Sequence, residues 1–253
     1  VRRQRCPSPD SQTVMRRRDS AAMAGLIRDH GLKVTCSDGL SKAADITSED
    51  AEVRQAGLAH LQWAVRTAAR IGAAGLAGVV YAPWGVFDPA RKARRAALSA
   101  EMLGQLDGVL ADHGVTLGIE AINRFETDLV NTASEAVALA RASGSAHIGA
   151  LLDTFHLNIE DKDIRGAIAG AGDRLVHFHV SDNDRGVPGS GHVPWDQVKA
   201  GLADAGYDGW IVAEMFVRPG NPASADLNIW RDIEPDATDA ARRALAFMRA
   251  RFA

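Results

Sequence analysis

Four polar residues, Glu120, Asp153, His179 and Glu214, each close a short apolar run, at intervals of 33, 26 and 35 residues. The runs are Leu117-Gly118-Ile119-Glu120, Ala150-Leu151-Leu152-Asp153, Val176-His177-Phe178-His179 and Ile211-Val212-Ala213-Glu214. Three carboxylates and one imidazole form a mixed O/N donor set suited to a divalent metal ion. Two glutamates in such a group can also act as a base and an acid in proton transfer. A lone carboxylate at a strand end has a simpler use, capping the helix that follows. Four in successive units point instead to a shared centre, and the chemistry expected of it is metal-dependent work on a sugar.

Each interval has the length of one strand, one loop and one helix. In an α/β barrel that rhythm places all four side chains at the same end of neighbouring parallel strands, where barrels of this kind carry their chemistry. His177 and His179 face the same way because strand side chains alternate. His179, nearer the strand end, is the expected ligand, and His177, one layer deeper, reads as a hydrogen-bonded core residue. His30, His60, His113 and His147 read as structural. His192, in the loop Gly189-Ser190-Gly191-His192, is expected either near the site or as a loop anchor.

The rest of the chain supplies the elements that such a centre needs. Ser20 to His30 reads as a helix closed by Gly31, and Leu32 to Ser37 as a strand. Thr47 and Asp50 open a long helix with Leu58, Leu61, Val65 and Ala69 on one face. Gly78 to Tyr81 is the next strand, and Asp88-Pro89 starts a helix that carries Leu103, Leu106 and Leu110. Strands are then expected over 116–120, 147–153, 176–181 and 210–214. The helices between them are marked by a capping box at Thr132 and Glu135, by Asp163 to Ala171 and by Trp195 to Ala205; a last helix spans 237–252. Asp29-His30-Gly31-Leu32 and Asp112-His113-Gly114-Val115 mark two matching junctions where a helix stops and an apolar strand begins.

Six strands are two fewer than a closed (β/α)₈ barrel contains. The fold class expected is therefore α/β, a TIM-type barrel lacking its first strands. Residues 1–18, with Arg2, Arg3, Arg5 and Arg16 to Arg18 among prolines and small polar residues, read as an irregular arginine-rich leader without secondary structure. Residues 19–253 read as one catalytic barrel domain.

Composition narrows the partners. A net charge of -3 argues against a nucleic-acid surface and for a small-molecule partner. The least polar stretch, Ile71 to Phe87, is short and interrupted by Gly72, Gly75, Gly78, Pro83 and Gly85, which excludes it as a membrane span. Cys6 and Cys36 are the only cysteines, and the N-terminus shows no apolar leader, so the cytoplasm is the expected location.

Polar residues follow each candidate ligand. Glu120 leads into Asn123-Arg124-Phe125-Glu126, Asp153 into Thr154-Phe155-His156, and His179 into Ser181-Asp182-Asn183-Asp184-Arg185. Read as βα loops, these bring Glu126, His156 and Arg185 over a metal-bound ligand, with donors suited to the hydroxyls or oxyanion of a polyol. Pocket specificity is expected to rest on loop residues such as Tyr81, Trp84 and Phe216, with Trp84 either a hydrophobic wall for the sugar tail or plain core.

The stretches IEAINRFET (119–127), LLDTFHLNIE (151–160), HFHVSDNDRGVPGSGHVPW (177–195) and GYDGWIVAEMF (206–216) resemble the ketose 3-epimerase family, within the xylose-isomerase-like barrels. The resemblance runs from about residue 19 to the end of the chain. It implies that Glu120, Asp153, His179 and Glu214 bind one divalent ion, Mn²⁺ or Co²⁺ with Mg²⁺ as a further candidate. It also implies that Glu126, His156 and Arg185 contact the sugar. The implied reaction is epimerisation of a free ketose at C3, with Glu120 and Glu214 removing and returning the proton through a cis-enediolate, in a dimeric or tetrameric protein. Family members begin with a strand, a helix and a second strand that have no counterpart here. A hydroxypyruvate isomerase-like or inosose dehydratase-like enzyme, and an inactive open barrel, are the alternatives. A DNA-repair endonuclease of related barrel shape would need more histidines at strand ends and a basic groove.

Overall fold

The computed structural model describes residues 17–220 and 222–252, with side chains from Ser20 onward. Among the described residues six parallel strands form one sheet in sequence order: β1 (Cys36–Leu40), β2 (Gly75–Pro83), β3 (Thr116–Glu120), β4 (Ile148–Asp153), β5 (Leu175–Val180) and β6 (Ile211–Ala213). Neighbouring parallel strands need a crossover between them. Helices supply it: α1 (Arg17–Asp29) before β1, α2 (Ala51–Arg70), α3 (Lys92–Gly104), α4 (Asp107–His113), α5 (Ala133–Ala142), α6 (Thr154–Glu160), α7 (Ile164–Ala171) and α8 (Trp195–Asp204). After β6 come a short helix, α9 (Pro222–Asp226), and α10 (Ala237–Phe252). This is the expected strand–helix alternation of a TIM-type barrel, with six strands among the described residues. The leader reading falls outside the described residues except at Arg17 and Arg18, which belong to α1.

Strand register explains where the polar residues go. Glu120 pairs with Leu151, Asp153 with His179, and His179 with Val212. Paired residues in a parallel ladder share a face, and alternate residues along a strand share it too. Glu120, Leu151, Asp153, His177, His179, Val212 and Glu214 therefore line the inner face. The opposite face carries Leu117, Ile119, Ile148, Ala150, Leu152, Phe178 and Val180, all buried in the main apolar core. They pack with Leu61 and Val65 of α2, Leu103 of α3, Ala136 of α5, Ile168 of α7 and Val198 of α8.

The two repeated junctions both form a left-handed cap. Gly31 has φ +58° and Gly114 φ +61°, and in each the following N–H reaches five residues back, Leu32 to Ile27 and Val115 to Leu110. Their outcomes differ. β3 starts directly at Thr116, whereas β1 starts at Cys36 and not at Leu32 as the pattern predicts. Val115 is buried between neighbours on both sides, while Leu32 is 59% exposed beside a strand that has one partner among the described residues. The helix expected from Asp88 is also divided. A 3₁₀ turn over Pro89–Arg91 leads into α3, which ends at Gly104 before α4 begins. Gly104 presses on Ser143, whose carbonyl oxygen lies 2.5 Å from where a Cβ would stand. Leu103, Leu106 and Leu110 nevertheless reach the core as their spacing predicts.

Candidate metal centre and sugar pocket

The ends of β3, β4 and β5 and the residue after β6 deliver Glu120, Asp153, His179 and Glu214 to one point. All four are buried, and one potential ligand atom of each lies within 4.8 Å of the others. His179 Nδ1 is 3.4 Å from Glu214 Oε2, 3.9 Å from Glu120 Oε1 and 4.0 Å from Asp153 Oδ2. Glu214 is held there by its backbone N–H, which donates to Val180 O. Asp153 has two uses at once. Its Oδ1 accepts the Phe155 N–H and caps α6, while Oδ2 turns into the cluster. Three buried carboxylates beside one guanidinium and one imidazole form an oxygen-rich, electron-rich set that could hold a divalent ion.

The three further residues expected over the centre form a chain of polar contacts that leads away from it. Arg185 Nη1 donates to Asp153 Oδ2 at 2.7 Å and to Glu214 Oε2 at 3.2 Å. Its Nη2 is 3.0 Å from His156 Nε2, and its guanidinium lies over the Phe155 ring at 4.0 Å. His156 Nδ1 accepts the backbone N–H of Asn123 at 3.1 Å. The Asn123 amide donates to Glu126 Oε1, and Trp84 Nε1 donates to Glu126 Oε2 at 3.0 Å. Burial, together with the charge of Arg185, holds His156 well below the ordinary histidine range, so the ring is neutral near pH 7.

That neutrality matters for recognition. A neutral imidazole that accepts at Nδ1 carries its proton on Nε2. The Nε2–H of His156 and the N–H groups of Arg185 are then both donors, set side by side at 3.0 Å. An oxygen atom of a ligand lying beside the pair could accept from both.

Other positions depart from the sequence reading. His156 lies in α6 and not in a loop. Tyr81 is fully buried in the core, with its hydroxyl toward Val130 O. Phe216 does face the centre, with the Arg185 guanidinium 5.5 Å from its ring. His177 is buried and stacks edge-on with His179. His192 is exposed, and its backbone N–H donates to Asn183 Oδ1. His60 pairs with Asp38 at 2.9 Å between α2 and β1.

Four findings from known proteins bear on this geometry. The family model described as "Xylose isomerase-like TIM barrel" matches residues 6–251. The chain is 36% identical over 229 residues to a D-psicose 3-epimerase of Agrobacterium fabrum, which covers 88% of this chain and 79% of that protein. It belongs to the ketose 3-epimerase family of these barrels. A ketose 3-epimerase of Arthrobacter globiformis is 34% identical over 227 residues, 88% of this chain and 78% of its own. A crystal structure of D-psicose 3-epimerase in the presence of D-fructose superposes with a TM-score of 0.87 at 35% identity, over 92% of this chain and 84% of that one.

Membership in this family makes the chain an isomerase-class enzyme built on the expected barrel. No described helix is long and apolar enough to cross a membrane. Sequence reasoning assigned no role to Asn123, Phe155 or Asp182. Asn123 links Glu126 to His156, Phe155 supports the Arg185 guanidinium, and Asp182 is fully buried beneath the loop that carries Arg185. Their positions directly after the ligands were the available signal.

Proposed function

We propose that this enzyme epimerises a free ketose at C3. The observation that carries the reading is the buried meeting of Glu120, Asp153, His179 and Glu214 beside the paired donors of His156 and Arg185. Glu120, Asp153, His179 and Glu214 would hold one divalent ion, and the mixed carboxylate–imidazole set suits Mn²⁺ or Co²⁺, with Mg²⁺ also accepted. When bound, such an ion polarises the ketose carbonyl and makes the C3 hydrogen acidic.

The chain's own groups do the rest. One of Glu120 and Glu214 takes the C3 proton, and the other returns a proton to the opposite face, the order depending on the C3 configuration of the substrate. His156 and Arg185 place their N–H groups on the oxygens at the carbonyl end and stabilise the charge that develops there. Glu126, tied to Asn123 and Trp84, binds a sugar hydroxyl and steadies His156 through Asn123.

The related proteins named above are D-psicose and ketose 3-epimerases, which supports an unphosphorylated ketose as substrate. A cytoplasmic homo-oligomer, dimer or tetramer, completes the reading; exposed Phe87, Phe125 and Trp230 offer apolar surface for contacts between copies. A single barrel domain, whose first described helix begins at Arg17 and not after residue 18, is the proposed organisation of the chain.

The test is hydrogen exchange at C3 of D-fructose and D-tagatose, followed by NMR in D₂O with Mn²⁺. Exchange with formation of the 3-epimer is expected, and it should vanish in Glu120→Gln and in Glu214→Gln. Exchange that survives both substitutions overturns the assignment.

A further inference from the structure

Beyond the family motif, the loop from Asn183 to Val193 is organised around one side chain. Asp182 is fully buried directly after β5 and Ser181. Its Oδ1 accepts the backbone N–H groups of Asn183 at 3.0 Å and Val193 at 3.1 Å. Its Oδ2 accepts the Gly189 N–H at 2.8 Å and the Trp195 indole N–H at 3.3 Å. The backbone of Asp182 joins in, since its N–H donates to Gly186 O and its carbonyl accepts the Arg185 N–H at 3.0 Å. Donors from both ends of the loop and from the start of α8 thus converge on a single carboxylate.

The loop needs such a tie. Arg185 sits at φ +66°, a left-handed conformation that a residue with a long side chain adopts only under constraint. Packing elsewhere in the loop is equally tight. A Cβ on Gly191 would stand 2.3 Å from Asp182 Oδ1, and one on Gly189 would stand 2.4 Å from the Phe247 ring of α10. Burial alone would push the Asp182 carboxyl up, but the backbone N–H groups of Gly191, Asn183, Val193 and Gly189 hold it below the ordinary range.

We infer that Asp182 is the positioning residue of the sugar pocket: it folds the Asn183–Val193 loop into the one arrangement that aims Arg185 at Asp153, Glu214 and His156. This deepens the proposed function, because it rests on the reading of Arg185 as a substrate contact. A carboxylate suits the task for a geometric reason. Two acceptor oxygens can each take two N–H donors, whereas an amide offers only one acceptor oxygen and turns two N–H groups of its own against donors. An unmatched buried donor destabilises the loop locally without touching the sheet.

Arg185 supplies its own reporter, since trypsin cleaves after arginine and this side chain is buried. In the full chain with Mn²⁺, Asp182→Asn should open the Arg185–Gly186 bond to trypsin at least about tenfold faster than in the wild type, as expected for local opening. Cleavage after Arg124 and Arg231, which are exposed and lie outside helices, should stay at the wild-type rate. With a ketose that the wild type turns over, KM should rise, while Mn²⁺, followed by calorimetry, should bind at least as tightly as in the wild type, since a displaced Arg185 no longer neutralises Asp153 and Glu214. The cleavage and Mn²⁺ readouts need no ketose, so they stand even if the substrate reading fails. Unchanged cleavage at Arg185, or equal acceleration at every site in a variant that still melts cooperatively, overturns the inference. If Asp182→Asn does not fold, Trp195→Phe decides, because it removes a single donor and keeps the ring beside Phe247. Faster cleavage at Arg185 alone supports the inference, and wild-type protection there refutes it.

Discussion

Arg185 and Asp153 meet at 2.7 Å, with both side chains buried at the end of β4. The same guanidinium reaches Glu214, so one fixed cation is shared by two of the three carboxylates in the centre. Removing one partner of a buried ion pair costs about 3–5 kcal/mol, because the remaining charge is left uncompensated. Arg185→Met should therefore lower the melting temperature of the metal-free enzyme by several degrees. A divalent ion supplies the missing positive charge, so Mn²⁺ should raise the melting temperature of the variant more than that of the wild type. Melting curves with and without Mn²⁺ measure both effects, and equal increments in the two proteins would refute the electrostatic account.

Asp161 gives a pH prediction away from the centre. Burial pushes its carboxyl up from 3.8 to about 6; the Ala133 N–H pulls against this, and Glu160 and Glu135 add to it. In the unfolded chain the group titrates near its ordinary value, so between about 4 and 6 the folded state holds a proton that the unfolded state has lost. Stability from this group is greatest at the acid end of that window. It falls as pH rises through the window and stays lower above it. Asp161→Asn should raise the melting temperature near neutral pH, with a gain that shrinks as pH approaches 4. A gain that is independent of pH would show that ionisation is not the cause.

Gly149 lies in β4 on the inner face, where a Cβ would meet Arg174 O and Val176 Cγ1, both at 2.4 Å. The first contact is backbone and cannot swing away. Gly149→Ala should destabilise the fold by about 1–3 kcal/mol, as overpacking does. For a chain of this size, that corresponds to a drop of roughly 2–12 °C in melting temperature. Calorimetry on the purified variant provides the check, and an unchanged melting temperature would mean that β4 and β5 can part at no cost.

Trp84 is 39% exposed, and its indole N–H fixes Glu126 across the pocket mouth. Trp84→Phe keeps the ring and deletes that hydrogen bond, which is worth about 1.5–3 kcal/mol to a charged acceptor and less where water can replace it. KM for the ketose should rise several-fold with Mn²⁺ affinity unchanged, since Glu126 lies outside the group formed by Glu120, Asp153, His179 and Glu214. Steady-state kinetics paired with calorimetry separate the two, and a loss of Mn²⁺ binding would contradict this placement of Glu126.

Much of this architecture was legible in one dimension. The β3 strand from Thr116 to Glu120, the Thr132–Glu135 capping box and the final helix from Ala237 all form where the pattern places them. These signals are local: an apolar run ending in a charge, a side chain capping its own backbone, a repeat matched to the helix. The gathering of Glu120, Asp153, His179 and Glu214 was also legible, because a regular strand–helix period turns positions along the chain into positions around a barrel. Asp153 shows that the simpler reading was correct as well, for it caps α6 with one oxygen and faces the cluster with the other.

Other features depend on partners distant in sequence, and only the tertiary structure decided them. Leu32 and Val115 follow the same local cap, yet only Val115 runs straight into a strand, since among the described residues β3 has neighbours on both sides and β1 on one. Tyr81 is buried in the core within β2 with its hydroxyl toward Val130 O, a contact that no spacing predicts. The donor pair of His156 and Arg185, the Asn123 bridge between Glu126 and His156, and the convergence of the 183–195 segment on Asp182 all join groups through hydrogen bonds whose direction no spacing encodes. Periodicity decides which face a residue takes; contact geometry decides what it touches there.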